Sequence, residues 1–191
     1  MALRWNLVII YLRFMPDIVA LPHPRKLYTQ LRECTSAEKR AQAALEFVRG
    51  CTNSDGGHLF LSRAGDLQLA ASTQDGQPPA ELVEEARRTW DRELDRQPDD
   101  FKTLELTTIE ALRAAQESPL WLSSSKEVFE RRLLSVYRSQ AWVPVGLVML
   151  LTRENKALVP IRQVHIEALC SALLDSGDVQ ERSVSPQQHR A

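Results

Sequence analysis

The 191-residue chain is poor in the residues that announce a reaction centre. Its three cysteines, Cys34, Cys51 and Cys170, are an odd number at wide spacings. That excludes a disulfide framework and a Cys-x-x-Cys metal knuckle, and it favours a reducing, cytoplasmic setting in which each thiol is a small apolar side chain. The four histidines, His23, His58, His165 and His189, show neither HExxH spacing nor a mixed Cys/His zinc pattern, so no metal or other cofactor is expected. Ser123, Ser124 and Ser125 stand in no GxSxG elbow, and the Gly56-Gly57 pair lies in no phosphate-binding loop. These absences speak against an enzyme. Charge of one sign is not in excess either: 24 Lys and Arg face 25 Asp and Glu, so there is no broad field to attract nucleic acid. No apolar run reaches the roughly 20 residues of a membrane span. The stretch Trp5 to Leu12 (WNLVIIYL) is closed by Arg13, is followed by no A-x-A cleavage site, and is crowded by prolines from Pro16 to Pro24. It reads as a segment covering the core or docking on another protein, without stable membrane insertion.

What is present is patterned for a packed domain. Thr35 with Glu38 forms a capping-box pattern, Ala37, Ala41, Ala44, Leu45 and Val48 share a helical face, and Gly50 can end the helix, which predicts a helix over Thr35 to Arg49. A β-hairpin is expected over roughly residues 57 to 73, turning at Ala64-Gly65-Asp66. After Pro78-Pro79, the spacing of Leu82, Val83, Ala86, Trp90 and Leu94 predicts an amphipathic helix ending before Pro98. Lys102 to Thr107 alternates as a strand, and a short capped helix is expected from Thr107 through Gln116. Beyond a PLWLSS segment come a strand from Val128 to Arg138, a tight turn at Ser139-Gln140, and the apolar run Ala141 to Leu151. That run suits a central strand buried on both faces and paired antiparallel with its predecessor. A Pro160-started helix reaches Ser176. The polar tail from Asp178 is expected to be disordered, with Ser183 and Ser185 as chance serines.

The expected architecture is therefore α+β: an antiparallel sheet of five to six strands with helices packed on its faces. The expected divisions are an apolar, proline-rich extension over 1–34, one domain over 35–177 and a tail over 178–191. The helix ending in EFVRGCT, the hairpin GGHLFLSRAGDLQLAAST, and the strand VPVGLVMLL leading to QVHIEALCSALL together resemble a GAF domain. In that family the late strand has a similar Val-Gly pair within an aliphatic run, here Val145 and Gly146, and a glycine there lets a neighbouring backbone come close. The resemblance implies a non-catalytic sensory or regulatory module of bacterial-type signalling. It implies a homodimer through the first and last helices, with a signalling protein as a possible partner. The NKFDE-type signature of cyclic-nucleotide-binding members is missing. A second resemblance, to the roadblock family, implies a docking subunit that regulates small GTPases without a small-molecule ligand.

If a ligand binds, a GAF-like fold places it between one sheet face and the central helices and loops, with Trp90, Phe101, Trp121 and Phe129 as wall candidates. The same aromatics also suit an ordinary core. Arg87 and Arg88 are solvated arginines that an anion could also use. His165 is expected to be a satisfied core or interface histidine, and His58 a turn residue. Leu45, Val48, Leu169 and Leu173 are the candidates for a dimer or partner interface, on the expectation that a two-layer fold leaves them uncovered.

Overall fold

The computed structural model describes residues 21–63, 65–95, 120–121, 127–138, 141–152 and 158–179, with side chains left aside at 120, 121, 141 and 142. The expected strand at Lys102 to Thr107, the helix to Gln116 and the tail beyond residue 179 lie outside the described residues, as does Trp5 to Leu12.

Among the described residues, four helices and an antiparallel sheet make an α+β fold. Helix α1 (Pro24–Glu33) starts with proline at its first position, where the missing N–H costs nothing, and His23 caps it by accepting from Arg25 N at 3.3 Å. This helix lies in the stretch read as an extension, yet its Leu27 and Leu31 are buried in the same core as the helices that follow. Helix α2 (Ala37–Thr52) is capped by Ser36, whose hydroxyl accepts from Lys39 N at 3.2 Å, and not by the expected Thr35. It runs past Gly50 to Asn53, whose φ of 58° supplies the left-handed cap assigned to Gly50 by sequence.

Strands β1 (Gly56–Arg63) and β2 (Asp66–Ser72) form the expected hairpin, turned at Gly65 with φ 89°. Helix α3 (Ala80–Asp95) follows. The two-residue β3 (Leu120–Trp121) lies at the sheet edge, before the long strands β4 (Val128–Arg138) and β5 (Ala141–Thr152) and the last helix, α4 (Gln163–Asp175). Strand order is β2-β1-β5-β4-β3, with every pairing antiparallel. The apolar run is thus the central strand. Its alternating side chains feed two cores: Val148 and Leu150 enter one with α1, α2 and α4, while Leu147 and Met149 enter the other with α3. All four are 0% exposed. Each such side chain contributes roughly 1.5–3 kcal/mol on burial, so this strand alone accounts for a large part of the driving force.

Pro144 is tolerated in a central strand because of where it falls. The β1–β5 ladder stops at Leu61 opposite Gly146, and the β4–β5 register slips between Leu134 and Ser135, so the proline sits at a bulge where a missing donor is accommodated. Gly146 is the point of closest approach: a Cβ there would lie 2.2 Å from Phe60 O on β1. Among the described residues no helix is long and apolar enough to cross a membrane.

Candidate functional site

The layer between α3 and the sheet holds some of the buried side-chain polar atoms that find no hydrogen-bond partner among the described residues, others being Ser54 Oγ, Arg132 Nε and His165 Nδ1. Leu82, Ala86 and Trp90 of α3 meet Phe60 and Leu67 of the hairpin, Phe129 of β4, and Leu147 and Met149 of β5. Two of the four expected wall residues, Trp90 at 2% and Phe129 at 0% exposure, are therefore brought into one apolar cluster. The backbone of Trp121 pairs with Val128, next to Phe129, and Phe101 lies outside the described residues.

Three polar atoms in this layer have no hydrogen-bond partner among the described residues. They are His58 Nδ1, Thr89 Oγ1 and Trp90 Nε1, on side chains that are nine-tenths or more buried. Alternation along β1 puts His58 on the Phe60 face, and its ring lies 6.0 Å from that of Phe129. Thr89 adjoins Trp90 on the buried side of α3. A buried polar group left unpaired costs about 1–3 kcal/mol.

His58 is more than the turn residue expected from its neighbours. Its Nε2 lies 3.1 Å from Gln74 Oε1, and Gln74 Nε2 donates to Glu127 Oε1 at 3.4 Å. The carboxylate can only accept, which sets the amide orientation, which in turn makes His58 Nε2 the protonated nitrogen. Nδ1 is then a bare acceptor facing the apolar layer. Burial, the largest influence, pushes the His58 imidazole below its usual value, opposed by the Gln74 hydrogen bond and the Glu127 charge. Gly56 and Gly57 serve this arrangement and not a phosphate. Gly57 N donates to Thr73 Oγ1 at 2.7 Å, and a Cβ on Gly57 would lie 2.6 Å from Met149 O. Gln74 and Glu127 were invisible in sequence, one in a turn-rich bridge and the other just before a strand.

One ion pair closes the layer at its side: Arg131 of β4 meets Glu85 of α3 at 2.5 Å, both side chains largely buried. Arg88 pairs with Glu84 and Glu85 along α3, and Arg87 is exposed. The layer thus offers one bare acceptor, one indole donor and one hydroxyl, while its arginine is already paired.

Leu45, Val48, Leu169 and Leu173 require a correction. They are 0–1% exposed, covered by the sheet and helices of their own chain, so the expectation that they lie uncovered fails. The reason is a layer the sequence reading did not count, since α1 lies against α4. His165 is likewise placed in this core, with Nε2 donating to Pro22 O at 3.0 Å and its ring beside Phe47. Cys170 is buried and its thiol is held far above the ordinary range by desolvation, while burial pushes Cys51 up to about 11. Neither is an activated thiolate. Among the described residues no three His, Cys, Asp or Glu side chains gather as a metal site. His189, Ser123 to Ser125, Ser183 and Ser185 lie outside the described residues. No family model matches the chain, and no curated protein matches it in sequence.

Proposed function

We propose that the protein is a non-catalytic, GAF-like sensory or regulatory module whose ligand enters the layer between α3 and the sheet. One observation carries this reading: three buried polar atoms of that layer, His58 Nδ1, Thr89 Oγ1 and Trp90 Nε1, find no partner among the described residues, and a ligand would complete them. The arrangement favours a neutral molecule with both a hydrogen-bond donor and an acceptor, because the arginine of that layer, Arg131, already faces Glu85. Three free cysteines suit a cytoplasmic setting. Dimerisation belongs to the same proposal, now through outer helical surfaces and not through the four buried side chains.

A thermal-shift panel of nucleobases, cyclic nucleotides, amino acids and neutral heterocycles tests it. Stabilisation follows RT ln(1 + [L]/Kd), about 2.7 kcal/mol at a hundredfold excess over Kd. The expected result is that one class raises the melting temperature of the wild type and does so less in Thr89→Val. In the ligand-free protein the valine leaves stability unchanged or raises it, because the hydroxyl it removes has no partner among the described residues. If no class has any effect, the docking-subunit alternative gains. That reading starts from the exposed Val159 and Val164 beside the first turn of α4.

A further inference from the structure

Helix α4 is apolar round most of its circumference. His165, Leu169, Cys170, Ala172 and Leu173 are buried, and Ile166, Ala168 and Leu174 pack against the same core. Such a helix is covered on more than one side. The sheet covers it through β4, and α1 covers it from elsewhere.

The contacts at the two ends show how α1 lies. Pro22 O, just ahead of α1, accepts from His165 in the first turn of α4. In the last turn of α4, Asp175 Oδ2 accepts from Tyr28 at 2.9 Å, and the Asp175 carbonyl accepts from Arg32. The two helices therefore run parallel. Asp175 also takes Arg138, the last residue of β4, on Oδ1 at 2.9 Å. One aspartate thus joins α1, α4 and the end of the β4–β5 hairpin. Its carboxyl is held below the ordinary aspartate range, first by the Arg138 hydrogen bond and then by that of Tyr28.

Few buried side chains hold α1 itself. Only Leu27 and Leu31 of its ten residues are buried, its other side chains being partly or fully exposed. It is joined to α2 through Cys34, Thr35 and Ser36, and Arg40 grips that joint on the α2 side, donating to Cys34 O at 2.6 Å and to Leu31 O at 3.4 Å. Elements with few buried apolar side chains and exposed polar contacts are drawn from the low-stability end of a fold.

We infer that α1 is a releasable strap on α4, with Asp175 as its catch, and that its release uncovers the outer apolar stripe of α4 while the sheet stays folded. Through Asp175 the strap is tied both to α4 and to the end of β4 at Arg138. Nothing in this depends on a ligand in the α3 layer.

Native-state hydrogen exchange read by mass spectrometry on the full chain tests it. The amides of Leu27 to Arg32 are expected to exchange through an opening that leaves those of Leu147 to Leu150 protected. Asp175→Asn is expected to speed exchange in α1 at least tenfold and to leave β5 within twofold. If that variant does not fold, Tyr28→Phe removes one arm of the catch without changing charge, and a several-fold acceleration confined to α1 is expected. Exchange of α1 only together with β5, or an equal acceleration of both, overturns the strap. So does an α1 unchanged in Tyr28→Phe and Asp175→Asn.

Discussion

At the scale of single residues, the most deeply buried ion pair among the described residues is one that composition conceals. Arg40 of α2 is 8% exposed and meets Asp178 at 2.6 Å, while Asp178 also receives Arg63 on its carbonyl at 3.2 Å. In sequence Arg40 is one charge among several on its helix, and Asp178 stands at the start of a polar tail. Only the fold brings them together, across 138 residues. Removing one partner leaves a buried charge, so Asp178→Ala is expected to cost about 3–5 kcal/mol in urea unfolding. His58 gives a pH signature. Its folded value is depressed below 6.5, so the neutral imidazole's contribution is fully present above about pH 6.5 and is lost as pH falls below it toward the depressed folded value. The wild type should lose stability between pH 7 and pH 5, and His58→Gln should flatten that part of the profile. An identical slope in both would show that other groups set it. Asp175 acts in the same direction at lower pH: its contribution is present above about 3.8 and fades only in more acid solution, as pH falls through the depressed folded value.

At the scale of elements, the strand pattern was the most legible part of the chain. Val128–Arg138 and the central β5 follow from alternation and from an uncharged run, because a strand buried on both faces has nowhere to place a polar residue. The hairpin was equally clear from its turn residues. Helix ends were less so, since Ser36 and Thr35 are both competent caps and only backbone geometry chooses between them. Helix α1 was missed because it has only Leu27, Tyr28 and Leu31 for an apolar stripe, too little periodicity to stand out among prolines and charges. Two glycines separate structural need from tolerance. Gly146→Ala drives a methyl into Phe60 O and is expected to cost about 3 kcal/mol or more, with loss of strand pairing visible by circular dichroism. Gly50→Ala meets open space inside α2 and is expected to stabilise by about 0.5–1 kcal/mol. A tolerated Gly146→Ala would show that β1 and β5 do not approach as described.

At the scale of the whole molecule, a central sheet separates two cores of different character. The α1, α2 and α4 side is large and its leucines are fully covered, with Arg40 and Asp178 pairing where charge is buried. The α3 side is smaller and holds the atoms of His58, Thr89 and Trp90 that find no partner among the described residues; on the other side His165 Nδ1 is in the same position. The resemblance to a GAF domain is what singles out Trp90 and Phe129 as wall candidates from sequence; helical spacing by itself shows only that Trp90 lies on the apolar face of its helix. The polar relay through Gln74 and Glu127 could not be read, because it depends on a loop folding back across the sheet end. The interface assigned to Leu45, Val48, Leu169 and Leu173 failed for the complementary reason: a helical stripe shows that a face is buried, but not by what. The central claim is that the α3 layer receives a ligand, and the indole N–H of Trp90 reports on it directly. The 1H–15N indole resonance, assigned by its disappearance in Trp90→Phe, is to be followed while a compound that raises the melting temperature is titrated in. The account predicts that this resonance moves in step with binding as the orphan donor finds an acceptor; a stabilising compound that leaves it unmoved while other resonances shift would contradict it.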